Sequence, residues 1–114
     1  MSIRENDDPL TVEVSDDGIL EVAGDIDMEG APVLESAILK LEQQSNNGSQ
    51  SDLVIDLGEV LFIDSSGLRI LLGAAQRLRD QGRNIVLRST APSVRRLLEI
   101  TGTTDQFQIG NQSD

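Results

Sequence analysis

Residues 10–14, Leu-Thr-Val-Glu-Val, alternate apolar and polar side chains, the period of a strand with one buried face. Asp16-Asp17-Gly18 follows, and Asp-Gly between two such runs signals a hairpin turn. Residues 19–23 then read as the returning strand, ended by Gly24. From about Glu29 the period changes. Leu34, Ile38 and Leu41 fall at i, i+4 and i+7, one apolar stripe on a helix whose first turn admits Pro32. Residues 45–51 are a polar loop. Residues 53–57, Leu-Val-Ile-Asp-Leu, are nearly continuous in apolar side chains and predict a strand buried on both faces. A short apolar piece, residues 60–63, leads into a helix over 65–81. Its buried face is Leu68, Leu71, Leu72, Ala75 and Leu78, and Gly82 stops it. Residues 84–88 predict another central strand. Pro92 and Ser93 open a third helix with Val94, Leu97, Leu98 and Thr101 on one side, Gly102 closes it, and residues 107–109 can add a short last strand. The order β-β-α-β-α-β-α, with or without that strand, predicts a mixed sheet with helices packed on it.

A chain of 114 residues suits one domain. Residues 10–109 are assigned to it, with weakly ordered ends at 1–9 and 110–114. Aromatics are 2%, so the core must be built from Leu, Ile, Val and Ala. With no Cys there is no disulfide framework, thiolate zinc site or cysteine nucleophile. With no His there is no Ser-His-Asp triad within the chain. A net charge of −11 argues against nucleic acid as a partner. The charge is uneven: residues 1–64 carry 16 acids and two bases, residues 65–114 four acids and seven bases. This acidity reads either as a solvated surface or as the complement of a basic docking face. No apolar run approaches the length of a membrane span, and the first nine residues do not read as a signal peptide. The expected location is the cytoplasm.

The most informative stretch is residues 57–72. A short apolar piece meets Asp64-Ser65-Ser66-Gly67, and a helix starts there. A serine hydroxyl at a helix N-terminus lies beside unpaired N–H groups and the positive end of the dipole, a place that favours an anion. The plainer reading makes Asp64 or Ser65 an N-cap and nothing more. Leu68, three residues on from Ser65, completes no capping box. Gly67 is poor helix material in an early turn, and its missing side chain would let another molecule approach Ser65.

Three motifs in order give the chain a resemblance to the STAS-domain anti-sigma factor antagonists, stand-alone bacterial proteins. Gly24-Asp25-Ile26-Asp27 resembles the family's Gly-Glu-Leu-Asp, with Asp25 in place of Glu. Residues 53–57 followed by Phe62-Ile63-Asp64-Ser65-Ser66-Gly67-Leu68 match its signature. Residues 91–99, with Thr101-Gly102, resemble its third-helix motif. The resemblance covers about residues 10–109. It implies an α/β fold, a STAS-type mixed sheet of four to five strands packed with three to four helices.

In that family the serine after the signature Asp is reversibly phosphorylated, which carries over to Ser65. The unphosphorylated antagonist binds an ATP-dependent serine-kinase anti-sigma factor and releases the sigma factor. Phosphorylation ends binding, and a metal-dependent serine phosphatase resets the switch. No cofactor is implied, and the free antagonist is expected to be a monomer. The partner-binding surface implied is Asp25, Asp27, Asp64, Ser65, Ser66, Gly67 and Arg69. Asp27 is expected to meet an Arg or Lys of the kinase, although Asp25 and Asp27 read equally as caps of the helix near Glu29. Arg69 can contact the kinase or the phosphate, or be a solvated helix residue. Arg95 and Arg96 read as helix surface. The helix end is expected to hold a phosphate without refolding while leaving it largely unneutralised.

Other readings find fewer parts. An enzyme using Ser65 lacks an activating base, since Lys40, the only Lys, falls on the first helix. A response regulator lacks the Lys that should end the strand over 84–88. Asp25, Asp27 and Asp64 offer carboxylates to Mg²⁺ but read better as ordinary acidic loop residues. The remaining alternative is a STAS interaction subunit of a signalling assembly or transporter complex, in which Ser65 need not be modified.

Overall fold

The computed structural model describes residues 9–44 and 52–110. The ends expected to be weakly ordered, save Pro9 and Gly110, and the expected loop over 45–51 therefore lie outside the described residues. The elements in chain order are β1 (Thr11–Val14), β2 (Leu20–Ile26), α1 (Ala31–Gln44), β3 (Leu53–Ile63), α2 (Ser65–Asp80), β4 (Ile85–Arg88), α3 (Pro92–Thr101), a 3₁₀ turn (Thr104–Gln106) and β5 (Gln108–Ile109). The sheet order is β1-β2-β3-β4-β5, with β1 antiparallel to β2 and every other pair parallel.

Each parallel crossover carries one helix and steps one strand in the same direction. Right-handed connections of that kind lay all their helices over one face of the sheet. Burial agrees. Leu53, Ile55 and Leu57 are buried while Val54 and Asp56 between them are half-buried, and β4 alternates in the same way. The strand over 53–57 was expected to be covered on both faces; it is covered on one. The core is a single cluster of Leu, Ile, Val and Ala from the strands and all three helices, with Phe107 its aromatic member among the described residues. The apolar stripe of α1, Leu34, Ile38 and Leu41, is buried as its spacing predicts.

β3 departs most from the sequence reading. It is one strand of 11 residues, which joins the strand expected over 53–57 to the apolar piece over 60–63. Its register against β2 slips twice, between Glu21 and Ala23 and between Gly24 and Asp25, and each time β3 contributes one extra residue. Bulges of this kind leave a residue unpaired and reset the pleat. Buried positions accordingly change from every second residue (Leu53, Ile55, Leu57) to every third (Val60, Ile63). Leu61 and Phe62, in between, are exposed.

The other differences also have local causes. Gly24 does not end β2. It takes a left-handed φ of 98° beside a register shift, and the strand runs on to Ile26. The hairpin turn is wider than Asp-Gly alone suggests. Ser15 N–H donates to the Ile19 carbonyl at 2.9 Å and Ile19 N–H to Ser15 Oγ at 3.1 Å, so β2 begins at Leu20. Helix α1 begins at Ala31, later than Glu29, because Asp27 holds the chain in a turn first: its Oδ1 accepts from Glu29 and Gly30 N–H at 3.1 and 2.8 Å.

Candidate functional site

The site forms where β2 and β3 end. Asp64 N–H donates to the Ile26 carbonyl at 3.2 Å, which ties the exit of β2 to the start of α2. Asp64 itself has extended backbone and caps α2: its Oδ1 accepts from Ser66 N–H at 2.9 Å and Gly67 N–H at 3.4 Å, and its carbonyl accepts from Leu68 N–H at 3.0 Å. The sequence left the cap to Asp64 or Ser65, and Asp64 takes it. Because the carboxylate does the capping, the serine hydroxyl is released from that work. Ser65 becomes the first residue of α2 and is exposed. Among the described residues its hydroxyl has no hydrogen-bond partner.

The other expected residues separate into displayed and withdrawn. Arg69, one turn along α2, is exposed, and Ser66 is half-buried. Asp27 is half-buried, with one carboxylate oxygen fixed by Glu29 and Gly30 N–H; the capping reading describes its local contacts, and those contacts also hold it at the rim. Asp25 does not stand beside it at the surface. Its exposure is 8%, and it pairs with Phe62 across the sheet. Gly67 was expected to open a path to Ser65 for another molecule. It is buried, and a Cβ there would run into the Cγ2 of Ile26 and stand 3.0 Å from both the Ile26 carbonyl oxygen and Ile63 Cγ1. The glycine lets α2 pack onto β2 and β3, and the space is filled by the protein itself.

Two apolar residues outside the expected partner-binding set are exposed close to it in the chain. Met28 follows Asp27 and is 75% exposed, and Phe62, two residues before Asp64, is 41% exposed. Met and Phe are among the side chains enriched in protein interfaces. The available signal was a Met set among Asp27, Glu29 and Gly30, outside any apolar stripe.

Lys40 lies along α1 in a groove of about 560 Å³ that it shares with Val12, Val14, Pro32 and Val33, and Ser65 does not line that groove. Among the described residues no three acidic, His or Cys side chains are gathered where they could hold a metal ion. No helix of the described residues is long and apolar enough to cross a membrane.

A five-stranded mixed sheet carrying three helices, with Asp-Ser at the start of the second, is the arrangement of a small α/β domain. The chain belongs to the STAS domain family, whose pattern matches residues 8–114. Similar proteins include the anti-sigma-B factor antagonist of Listeria monocytogenes serovar 1/2a, 37% identical over 79% of this chain and 75% of the relative. The anti-sigma-B factor antagonist of Bacillus subtilis (strain 168) is 29% identical over the whole chain and 93% of the relative. Among solved structures, an anti-sigma factor antagonist from Mycobacterium paratuberculosis shares the fold with a TM-score of 0.69. It is 35% identical, with 90% of this chain and 85% of that one covered. These relatives are regulatory proteins, not enzymes, and the class of this chain is theirs.

Proposed function

We propose that the protein is an anti-sigma factor antagonist of the cytoplasm, switched by phosphorylation at Ser65. Unmodified, it docks on a serine-kinase anti-sigma factor through the rim formed by Asp27, Ser65 and Arg69, and the sigma factor is released. The kinase then moves the γ-phosphoryl group of ATP onto Ser65 Oγ. The new O–P bond replaces the bond to the β-phosphate, ADP leaves, and the hydroxyl proton passes to a base on the kinase. A serine phosphatase restores the hydroxyl.

One observation carries this reading: the Ser65 hydroxyl is exposed directly after the aspartate that caps its helix. The cap supports a switch that acts through charge. A phosphoryl group adds about −1.5 to −2 charges. The helix N-terminus supplies only about half a positive charge. The N–H groups of Ser66 and Gly67 are already committed to Asp64. The added charge therefore stands on the residue next to the capping carboxylate of Asp64. A partner surface complementary to the acidic rim meets a changed field and a bulkier group, with no need for the domain to refold.

The test is to mix the protein with a serine-kinase anti-sigma factor and ATP and to locate phosphate by mass spectrometry. The expected result is one phosphate, on Ser65, and none in Ser65→Ala. Phosphate at another position, or in Ser65→Ala, defeats the proposal.

A further inference from the structure

The sequence suggested that the start of α2 could hold a phosphate on its own N–H groups, and most of those groups already have partners. Ser66 and Gly67 N–H donate to Asp64 Oδ1, and Leu68 N–H donates to the Asp64 carbonyl. With these N–H groups engaged, a phosphoryl group on Ser65 gains most from a cationic side chain within reach.

The supply of such side chains is small. Over residues 9–76 the chain has two basic residues, Lys40 and Arg69. Lys40 lies on α1, beside a groove that Ser65 does not line. Arg69 is exposed on α2, four residues after Ser65. Residues at i and i+4 are neighbours on a helix surface, and long side chains there favour rotamers that lean toward the N-terminus, which brings Ser65 within reach of Arg69. The order also favours attraction, with the anion N-terminal to the cation. Arg77 and Arg79 of the same helix are engaged, the first by Glu42 and the second by Gln76 and Gln106. Arg69 has no hydrogen-bond or ion-pair partner among the described residues.

We propose that Arg69 is the phosphate-reading residue of the switch: when Ser65 carries a phosphoryl group, the Arg69 guanidinium turns onto its oxygens and is withdrawn from the docking face. This rests on the reading of Ser65 as the phosphorylated residue. A guanidinium presents paired N–H donors that match two phosphate oxygens at once, a geometry that lysine lacks. Modification then acts twice on the same surface. It adds a dianion, and it removes the cation that the unmodified surface offers a partner's carboxylate.

The experiment installs phosphoserine at position 65 during translation, so that no kinase is involved and the two readings fail separately. The second ionisation of the phosphate is followed by ³¹P NMR in the otherwise native protein and in Arg69→Gln, with circular dichroism confirming that both are folded. The expected pKa is lower with Arg69 present, by about 0.2–0.4 unit, because a guanidinium in contact favours the dianion. Equal values in the two proteins overturn the proposal.

Discussion

Gly67 and Gly73 lie on the same helix, and replacing each with alanine should move stability in opposite directions. At Gly73, which is exposed, the new methyl meets only Arg77 Nη1, at 3.6 Å, an ordinary contact. Alanine there should gain the helix-propensity difference of about 1 kcal/mol. At Gly67 the methyl meets the Ile26 side chain, the Ile26 carbonyl oxygen at 3.0 Å and Ile63 Cγ1 at 3.0 Å. Neither side of that gap yields easily. The carbonyl belongs to β2, where it accepts the Asp64 N–H, and isoleucine is stiff at χ1. Overpacking of this kind costs about 1–3 kcal/mol, and immovable neighbours put it near 3. Offset by about 1 kcal/mol of propensity, Gly67→Ala should lose about 2 kcal/mol net. For a domain of this size each kcal/mol moves Tm by about 4 °C. Gly73→Ala should therefore melt about 4 °C higher than the native protein and Gly67→Ala about 8 °C lower. Urea titrations of both variants give the free energies directly. If Gly67→Ala is as stable as Gly73→Ala, close packing is not the reason for the glycine.

Other perturbations follow from the same contacts. Asp64→Ala removes the cap from Ser66 and Gly67 N–H and should cost about 1 kcal/mol in a urea titration, without unfolding the domain. Asp27→Asn keeps the oxygen that accepts from Glu29 and Gly30 but removes the charge. Stability should change by less than about 0.5 kcal/mol, while affinity for the kinase partner falls and its salt dependence flattens; unchanged affinity and slope would exclude Asp27 from the interface. Arg77 and Glu42 form a two-point pair at 3.1 and 2.8 Å that joins α2 to α1. With Arg77 38% exposed, Glu42→Gln should cost only about 0.5–1 kcal/mol. Hydrogen bonding to Glu42 raises the Arg77 pKa above the ordinary arginine value. A raised cation stabilises the fold at every pH below its unfolded value and loses that contribution only as pH climbs through the folded one. Thermal melts between about pH 7 and pH 10 should thus show no loss from this pair.

Much of this was legible in residue order because the relevant signals are periodic. Alternation over residues 10–14 gave β1, and the i, i+4, i+7 stripe gave α1. Motif order carried the family assignment and Ser65 with it. What escaped was aperiodic or concealed. A bulge changes the burial period of β3 from two to three, which fits neither a strand nor a helix template, so the strand read as two pieces. Gly24 looked like a terminator because only coordinates reveal a left-handed residue inside a strand. Gly67 shows the deeper limit. A missing side chain leaves room, and the sequence does not say whether the room is for a partner or for Ile26. Asp25 and Asp27 look equivalent in the motif, yet strand register buries one and a turn holds the other at the rim.

The most direct measurement of the switch is calorimetric. The kinase anti-sigma factor would be titrated with the native protein and with the same protein carrying phosphoserine at position 65. A dianion pressed against a surface matched to a hydroxyl should cost about 3 kcal/mol, which weakens binding roughly 100-fold. Equal dissociation constants for the two forms would mean that the charge at Ser65 is not what separates bound from released.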